Sequence, residues 1–432
     1  MSIKQFVHII PSNQPANGQV SYKGGKPILN FNIGAQERVL LGKSLRLNFN
    51  IEILDSSGDP ITAADKICFE PTLGVMSIIE ELTISSKGTN QTIEQIKHYN
   101  RFLSSYYKNM TNDQDLLTCN RNLLGMSSSY LGFNNMVTEL SQNGKVKDCS
   151  IELPSGLFNG TKHIPLSSQW GLNGLLLQIN LANDSNVLFN YDGSSVSGYS
   201  YVLNNVYISA VLQTPNQNEM NYLSKQNQFL YNSISTHYAV LNSANANINF
   251  NLGLSRVLSA FCNIIRSSDL NSYSNGMKTT GIKEENKDTG EANAYITEVE
   301  WLKGGMLYPN SYKVERKTNV ENPYYEPQLV RSFMDSIGNN INSSWSKSVL
   351  NVENYNADLN SNTVDYPNTV GETFGLGIVY DGLSNEGVNF AQEQLGLNIK
   401  STLSADVPSS VYVFIKSSQR IMWGGGGLQV SK

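Results

Sequence analysis

The hexapeptide Leu29-Asn30-Phe31-Asn32-Ile33-Gly34 returns almost unchanged as Ile248-Asn249-Phe250-Asn251-Leu252-Gly253, and each copy is followed by the triplet Arg38-Val39-Leu40 or Arg256-Val257-Leu258. Each copy reads as a strand with apolar side chains on one face and Asn on the other. Two similar β-units in tandem are therefore expected. About one residue in eight is Asn, which makes a repeated Asn-rich word easier to obtain by chance. The order of the surrounding elements carries the duplication further than the words do.

A chain of 432 residues, 40% hydrophobic and 16% charged, can bury one large core or two ordinary ones, and its length favours two units. Its polar surface is built from Asn, Ser, Gln and Thr more than from Lys and Glu. Asn and Ser are poor helix formers that suit turns and exposed strand faces, so the composition points to an all-β fold. The net charge of -5 and the absence of any Lys/Arg run argue against a basic arm and against packaging a genome by charge. The start, with Lys4, Gln5 and His8 interrupting its apolar residues, does not read as a signal peptide, and no apolar run is long enough to span a bilayer. Cys68, Cys119, Cys149 and Cys262 form no C-x-x-C pair, so neither a zinc site nor a disulfide framework is expected, and the thiols read as reduced.

Residues 1–25, punctuated by Pro and Gly, read as an N-terminal arm, and the first unit occupies 26–215. Within it Leu45–Ile53 alternates without a fault and is the clearest strand in the chain. Glu81–Ser85 is a second strand. After Gly88 the spacing of Ile93, Ile96, Tyr99, Leu103 and Tyr106 predicts a helix, with Thr92 and Gln95 as a capping box. Strands are expected again at Cys149–Leu153, Leu175–Leu181 and Tyr201–Leu212. Residues 216–245 read as a polar connector and 246–423 as the second unit. That unit repeats the order: strands at Asn247–Leu252, Leu258–Ile265 and Ile296–Leu302, a Gly304-Gly305 turn, then a helix through Leu329, Phe333 and Ile337. A long Asn/Ser/Asp-rich loop follows, then strands at Phe374–Tyr380, Leu395–Thr402 and Val411–Ile415. Residues 424–432 read as a Gly-rich tail with the Gly run as a linker.

Candidate chemistry is sparse. His8, His98, His163 and His237 stand far apart, and no H-E-x-x-H, G-x-S-x-G or G-x-x-x-x-G-K-[ST] motif is present. Glu80-Glu81 and Glu284-Glu285 are adjacent carboxylates whose side chains on a strand point to opposite faces. Glu298 and Glu300 share a strand face, and paired carboxylates of this kind could do glycosidase work at suitable separation, yet a solvated face opposite Val299 and Trp301 is the plainer reading. Tyr22, Tyr191, Tyr199, Tyr201, Tyr324 and Tyr325 could stack on sugars, but packing or interface roles are favoured. No catalytic, cofactor-binding or metal-ligating residue is assigned, and no cofactor is expected.

The stretch Ile78–Gly88 with the helix expected over Ile93–Tyr107, and the segment Val299-Glu300-Trp301-Leu302-Lys303-Gly304-Gly305-Met306-Leu307-Tyr308-Pro309, resemble the strand-turn-helix and G-x-x-x-P passages of double jelly-roll major capsid proteins of icosahedral DNA viruses. Polinton-like viruses and virophages are nearest in style. The resemblance covers roughly Lys26 to Ile421. It implies two tandem eight-stranded antiparallel jelly rolls with short inserted helices and no enzymatic activity. It further implies a homotrimer of pseudo-hexameric outline that tiles an icosahedral shell, with neighbouring trimers, penton and minor capsid proteins and an internal membrane as partners. Sequence-specific nucleic-acid binding is not implied, and the location is the virion after synthesis in host cytoplasm. By the same resemblance the arm before Gly25 would lie beneath the shell. The alternative from another class is a carbohydrate- or receptor-binding β-sandwich such as a fibre component or lectin. A glycoside-active jelly roll resting on Glu298 and Glu300 is the third reading.

Overall fold

The structure is a computed structural model that describes residues 3–22, 27–69, 73–110, 147–160, 163–190, 196–267, 296–308, 313–317, 324–325, 327–337, 375–380, 387–401, 408–424 and 427–431. The expected long loop falls, over 338–374, outside the described residues, as do Cys119, Tyr191 and Glu284-Glu285.

Two facing sheets, of six and four described strands, build the first roll. One sheet runs β1 (Ile3–Ile9), β12 (Ser200–Thr214), β4 (Arg46–Leu54), β8 (Lys147–Glu152), with β3 (Val39–Leu41) and β9 (His163–Pro165) extending it along β12. The facing sheet runs β2 (Ile28–Ile33), β10 (Leu175–Leu181), β6 (Ile79–Ser86), β7 (Thr92–Lys97), and every pairing is antiparallel. A two-stranded ribbon, β5 (Ile67–Phe69) with β11 (Leu188–Asn190), covers one end. Alternation decides which face is buried: Leu47, Phe49, Ile51 and Ile53 of β4 point inward while Arg46, Asn48, Asn50 and Glu52 face outward.

The second roll repeats this plan. Its first sheet runs β13 (Gln228–Leu241), β22 (Ser409–Gly424), β15 (Val257–Arg266), β20 (Leu376–Val379). Its second runs β14 (Asn245–Asn251), β21 (Gln394–Ser401), β16 (Ile296–Lys303), β18 (Lys313–Lys317), with β17 (Met306–Leu307) beside β16 and β19 (Tyr324–Tyr325) beside β18. The repeated hexapeptides are thus structural counterparts. Each is the edge strand of the second sheet of its roll and pairs with the same neighbour, β10 or β21. Phe31 and Phe250 are both buried, whereas their Asn neighbours face outward.

The inserted helices among the described residues include α1 (Tyr99–Met110), α2 (Gly156–Gly160), α3 (Gln217–Lys225) and α4 (Pro327–Ile337), besides a single helical turn at Asp184–Val187. In α4, Leu329, Phe333 and Ile337 form the buried stripe that the spacing predicted. Gly304 and Gly305 turn the chain into β17 with φ of 57° and 84°, a conformation that glycine adopts without a Cβ clash.

Several expectations are corrected. The helix expected over Ile93–Tyr107 begins only at Tyr99; Thr92–Lys97 is strand, Gln95 pairs with Thr83, and no Thr92/Gln95 capping box exists. The cause is a bulge. Pairing jumps from Ile84↔Glu94 to Ser85↔Thr92, leaving Ile93 as an extra residue, so the buried positions follow a spacing that imitates a helix. Residues 216–245 are no bare connector. Asn216 and Glu219 cap α3 reciprocally, and β13 follows with fourteen residues paired to β22. The arm 1–25 supplies β1 and then covers the edge of β2, where Ser12 N–H donates to the Asn30 carbonyl and Asn30 N–H to Asn13 Oδ1. Residues 427–431 are no free tail: β23 (Gly427–Ser431) runs antiparallel along β22, with Gly424 paired to Gly427. The two units also share one continuous apolar cluster in place of two separate cores.

Candidate functional site

The continuous core is joined through a seam at which the first roll embraces β13 and the outer side of β15 and β22. Phe102 of α1 packs against Phe414 and Phe261 with ring centroids 5.8 and 6.4 Å away. Beside it Asn263, fully buried on β15, donates through Nδ2 to the Arg101 carbonyl at 2.9 Å and accepts at Oδ1 from the Ser105 hydroxyl at 2.5 Å. A buried amide with both ends engaged fixes the position of α1 on the second roll, because any displacement strands polar atoms out of water.

Glu94 holds the other half of the seam. The bulge in β7 places this buried carboxylate among donors from two rolls. Oε1 accepts from Gly156 N–H at 2.9 Å and from Ile234 N–H at 2.7 Å, and Oε2 accepts from Leu157 N–H at 3.0 Å. Burial pushes its carboxyl up to about 7, against the lowering effect of these donors and of the Ser155 hydroxyl. Gly156 is required by closeness: a Cβ there would stand 1.9 Å from the Asn232 carbonyl oxygen. Two further bonds cross the seam. The Tyr231 hydroxyl donates to the Ile93 carbonyl at 2.7 Å and the Thr236 hydroxyl to the Lys97 carbonyl at 2.8 Å.

His98, at the β7–α1 junction with φ of 51°, has Nδ1 2.9 Å from Glu80 Oε1 and lies edge-on to Tyr412 of the second roll at 4.9 Å. The Arg101 guanidinium sits 5.7 Å from the centroid of the same Tyr412 ring. The junction is therefore polar at its rim and apolar within.

The other candidate groups are dispersed or tied to structural partners. His8 stacks on Tyr207, His163 opens β9, and His237 lies against Phe250, where burial pushes its pKa down. Glu298 pairs with Lys400 at 2.7 Å, and Glu300 accepts from Asn398 Nδ2 at 3.1 Å. Glu80 binds His98 and Asn100, while Glu81 takes Asn180 Nδ2 at 3.0 Å. Tyr201 is buried and donates to the Ala182 carbonyl, and Tyr199 donates to Asp65 Oδ1 at 3.1 Å. Tyr22 is partly exposed, and Tyr324 and Tyr325 form β19. Among the described residues no group of three or more His, Cys, Asp or Glu could hold a metal, and no helix is long and apolar enough to cross a membrane. The seam residues Glu94, Arg101, Tyr231 and Asn263 were not singled out in the sequence, where a bulge and an interface between rolls leave no local pattern.

No family model and no curated protein matches the chain. Solved structures do. The chain is similar over its whole length to the PBCV-1 virus capsid, with a TM-score of 0.59, 10% identity and 97% of that chain covered. It is likewise similar to PBCV-1 VP54 as fitted into a reconstruction of the virophage Sputnik (TM-score 0.57, 11% identity, 100% of this chain and 97% of that one). The mavirus major capsid protein aligns over 99% of this chain and 90% of its own, with a TM-score of 0.50 and 12% identity. Sheet order and these likenesses together establish that the chain has the double jelly-roll fold.

Proposed function

We propose that the chain is a major capsid protein of an icosahedral DNA virus, a structural subunit that forms trimers of pseudo-hexameric outline and tiles the virion shell. The observation that carries this reading is the end-to-end likeness to the PBCV-1 capsid protein, which includes both rolls and their order. The seam supports it: a bolted pair of rolls presents two similar units at fixed orientation, so three copies supply six. Neighbouring trimers, penton and minor capsid proteins and an internal membrane are its partners in this reading, and synthesis takes place in host cytoplasm. No side chain acts as a catalyst. The outward faces of β2 and β4 carry Asn30, Asn32, Asn48 and Asn50 alongside Glu52 and an Arg46 that is paired with Glu152, a polar surface that suits contacts that bury area without isolating ions.

Mass measurement in solution across protein and salt concentration tests the reading. A trimer that persists at raised salt is expected, with interfaces of ~2,000 Å² or more, and closed shells at higher concentration. A monomer under all conditions would overturn it and favour a carbohydrate- or receptor-binding role.

A further inference from the structure

We infer that the outer edge of β14 is a strand-addition site that takes an extended, uncharged peptide segment of another protein; the inference goes beyond the capsid reading and does not depend on it.

The chain itself shows how such an edge is closed. In the first roll the connection from β1 to β2 spans residues 10–27 and returns along the edge of β2. Ser12 donates to the Asn30 carbonyl through its N–H at 2.7 Å and through its hydroxyl at 3.1 Å. The Asn13 side-chain amide then stands in for a peptide group: Oδ1 accepts from Asn30 N–H at 2.9 Å, and Nδ2 donates to the Ile28 carbonyl at 2.7 Å. A Ser-Asn pair thereby satisfies the outward backbone groups of β2 without supplying a whole strand.

β14 is the counterpart of β2, yet its edge stays open. Only residues 242–244 join β13 to β14, too few to return along the strand. The parity of its backbone is fixed through β21. The Gln394 carbonyl receives the Gly304 N–H on the β16 side, so Leu395, Leu397 and Ile399 face β14, opposite Phe250, Ile248 and Ala246. Asn247, Asn249 and Asn251 therefore turn their N–H and C=O groups outward. All three are exposed, whereas Asn30, beneath the arm, is partly buried. Among the described residues no group bonds to the outward backbone of Asn247 or Asn249. The devices that blunt an edge are missing too: residues 245–251 hold no Pro and no charged side chain, and their register with β21 has no bulge. A chain that closes the equivalent edge with four hydrogen bonds leaves this one ready for a partner. The first roll also specifies that partner's chemistry, an extended segment that presents Ser or Asn to Asn249 as Ser12 and Asn13 present themselves to Asn30. A charged segment would give up its hydration against a neutral row of Asn and gain no counter-ion.

The probe is a fluorescein-labelled peptide of residues 8–16 of this chain, which carries Ser12 and Asn13, titrated into the full chain and read by fluorescence anisotropy. Saturable binding is expected. Asn249→Pro removes one outward N–H and leaves the bonds to β21 in place; it is expected to weaken binding about tenfold or more without moving the unfolding midpoint. The Asn13→Leu peptide should lose affinity to the same degree. Hydrogen exchange of the unsubstituted chain supplies a readout that needs no variant: residues 245–251 should gain protection when the peptide is added, and residues 28–33 should not. Absence of binding at millimolar peptide, equal binding by the unsubstituted chain and Asn249→Pro, or protection confined to residues 28–33 would overturn the proposal. So would self-association that Asn249→Pro abolishes in a chain that binds no peptide, because the edge would then serve a second copy.

Discussion

The carboxylate of Glu94 and the backbone N–H of Ile234, separated by 140 residues in sequence, meet at 2.7 Å. This bond gives an edge strand of the second roll an acceptor from the first. A side chain here does what a neighbouring strand would do in an uninterrupted sheet, and it does so without forcing the two rolls into a common register.

Replacing Glu94 by Ala leaves the buried N–H groups of Gly156, Leu157 and Ile234 without their acceptor. A loss of ~3–5 kcal/mol in unfolding free energy is expected. Urea unfolding of both proteins checks it, and a change below about 1 kcal/mol would remove Glu94 from the seam.

The same carboxyl makes stability depend on pH. Its folded value of about 7 lies above the ordinary 4.5, so the folded protein holds the proton more tightly than the unfolded chain. The resulting stabilisation, roughly 3 kcal/mol, is fully present below about pH 4.5 and is lost as pH rises through about 7. Wild type should therefore lose more thermal stability between pH 5 and pH 8 than Glu94→Gln does. Parallel pH profiles of the two proteins would remove this group from the account.

The repeated hexapeptide predicts paired effects. Phe31→Ala and Phe250→Ala should each cost ~3–5 kcal/mol, because both rings are buried. Asn32→Ala and Asn251→Ala, on the opposite faces, should cost less than about 1 kcal/mol. Denaturant midpoints decide it, and equal small effects at all four positions would contradict the equivalence of the two strands.

Limited proteolysis should spare residues 228–241 as fully as it spares Leu45–Ile53. Polar composition alone marks 216–245 as a cleavage site, but β13 is bonded to β22 along fourteen residues and is covered by the first roll on its other edge. Mass mapping of the earliest fragments checks the point, and a first cut within 228–241 would contradict the seam.

Cys262 offers a probe of the core. It is fully buried on β15, and burial pushes its thiol up from the usual cysteine range. Alkylation of Cys262 by iodoacetamide should be negligible in the native protein and rapid in denaturant. Labelling at native rates comparable with a surface thiol would show that the β15–β22 region opens.

Where one strand face meets the core and the other meets water, the sequence is legible. β2, β4, β10 and β14 all show this alternation, and the hexapeptide correctly pairs β2 with β14 across the duplication. Where a strand lies at an edge or a seam, the alternation fails. Buried positions in β13 include Ser233 beside Tyr231, and β1 is exposed along most of its length, so neither presents an apolar rhythm. β7 fails for a different reason: its bulge shifts Ile93 out of phase and buries a glutamate. The candidate site suffers most, since Glu94, Asn263 and Tyr231 act on partners more than a hundred residues away.

The closing strands impose an order on synthesis. β1 leaves the ribosome long before its strand partner, β12, which begins only at Ser200; β13 likewise waits for β22, which begins at Ser409. Each roll therefore completes its sheet only when its last strand emerges, and such long loops close slowly. During translation the first roll can finish before the second has its final strand, leaving Glu94 and α1 as a ready-made bed on which β13 is held while the rest of its sheet arrives.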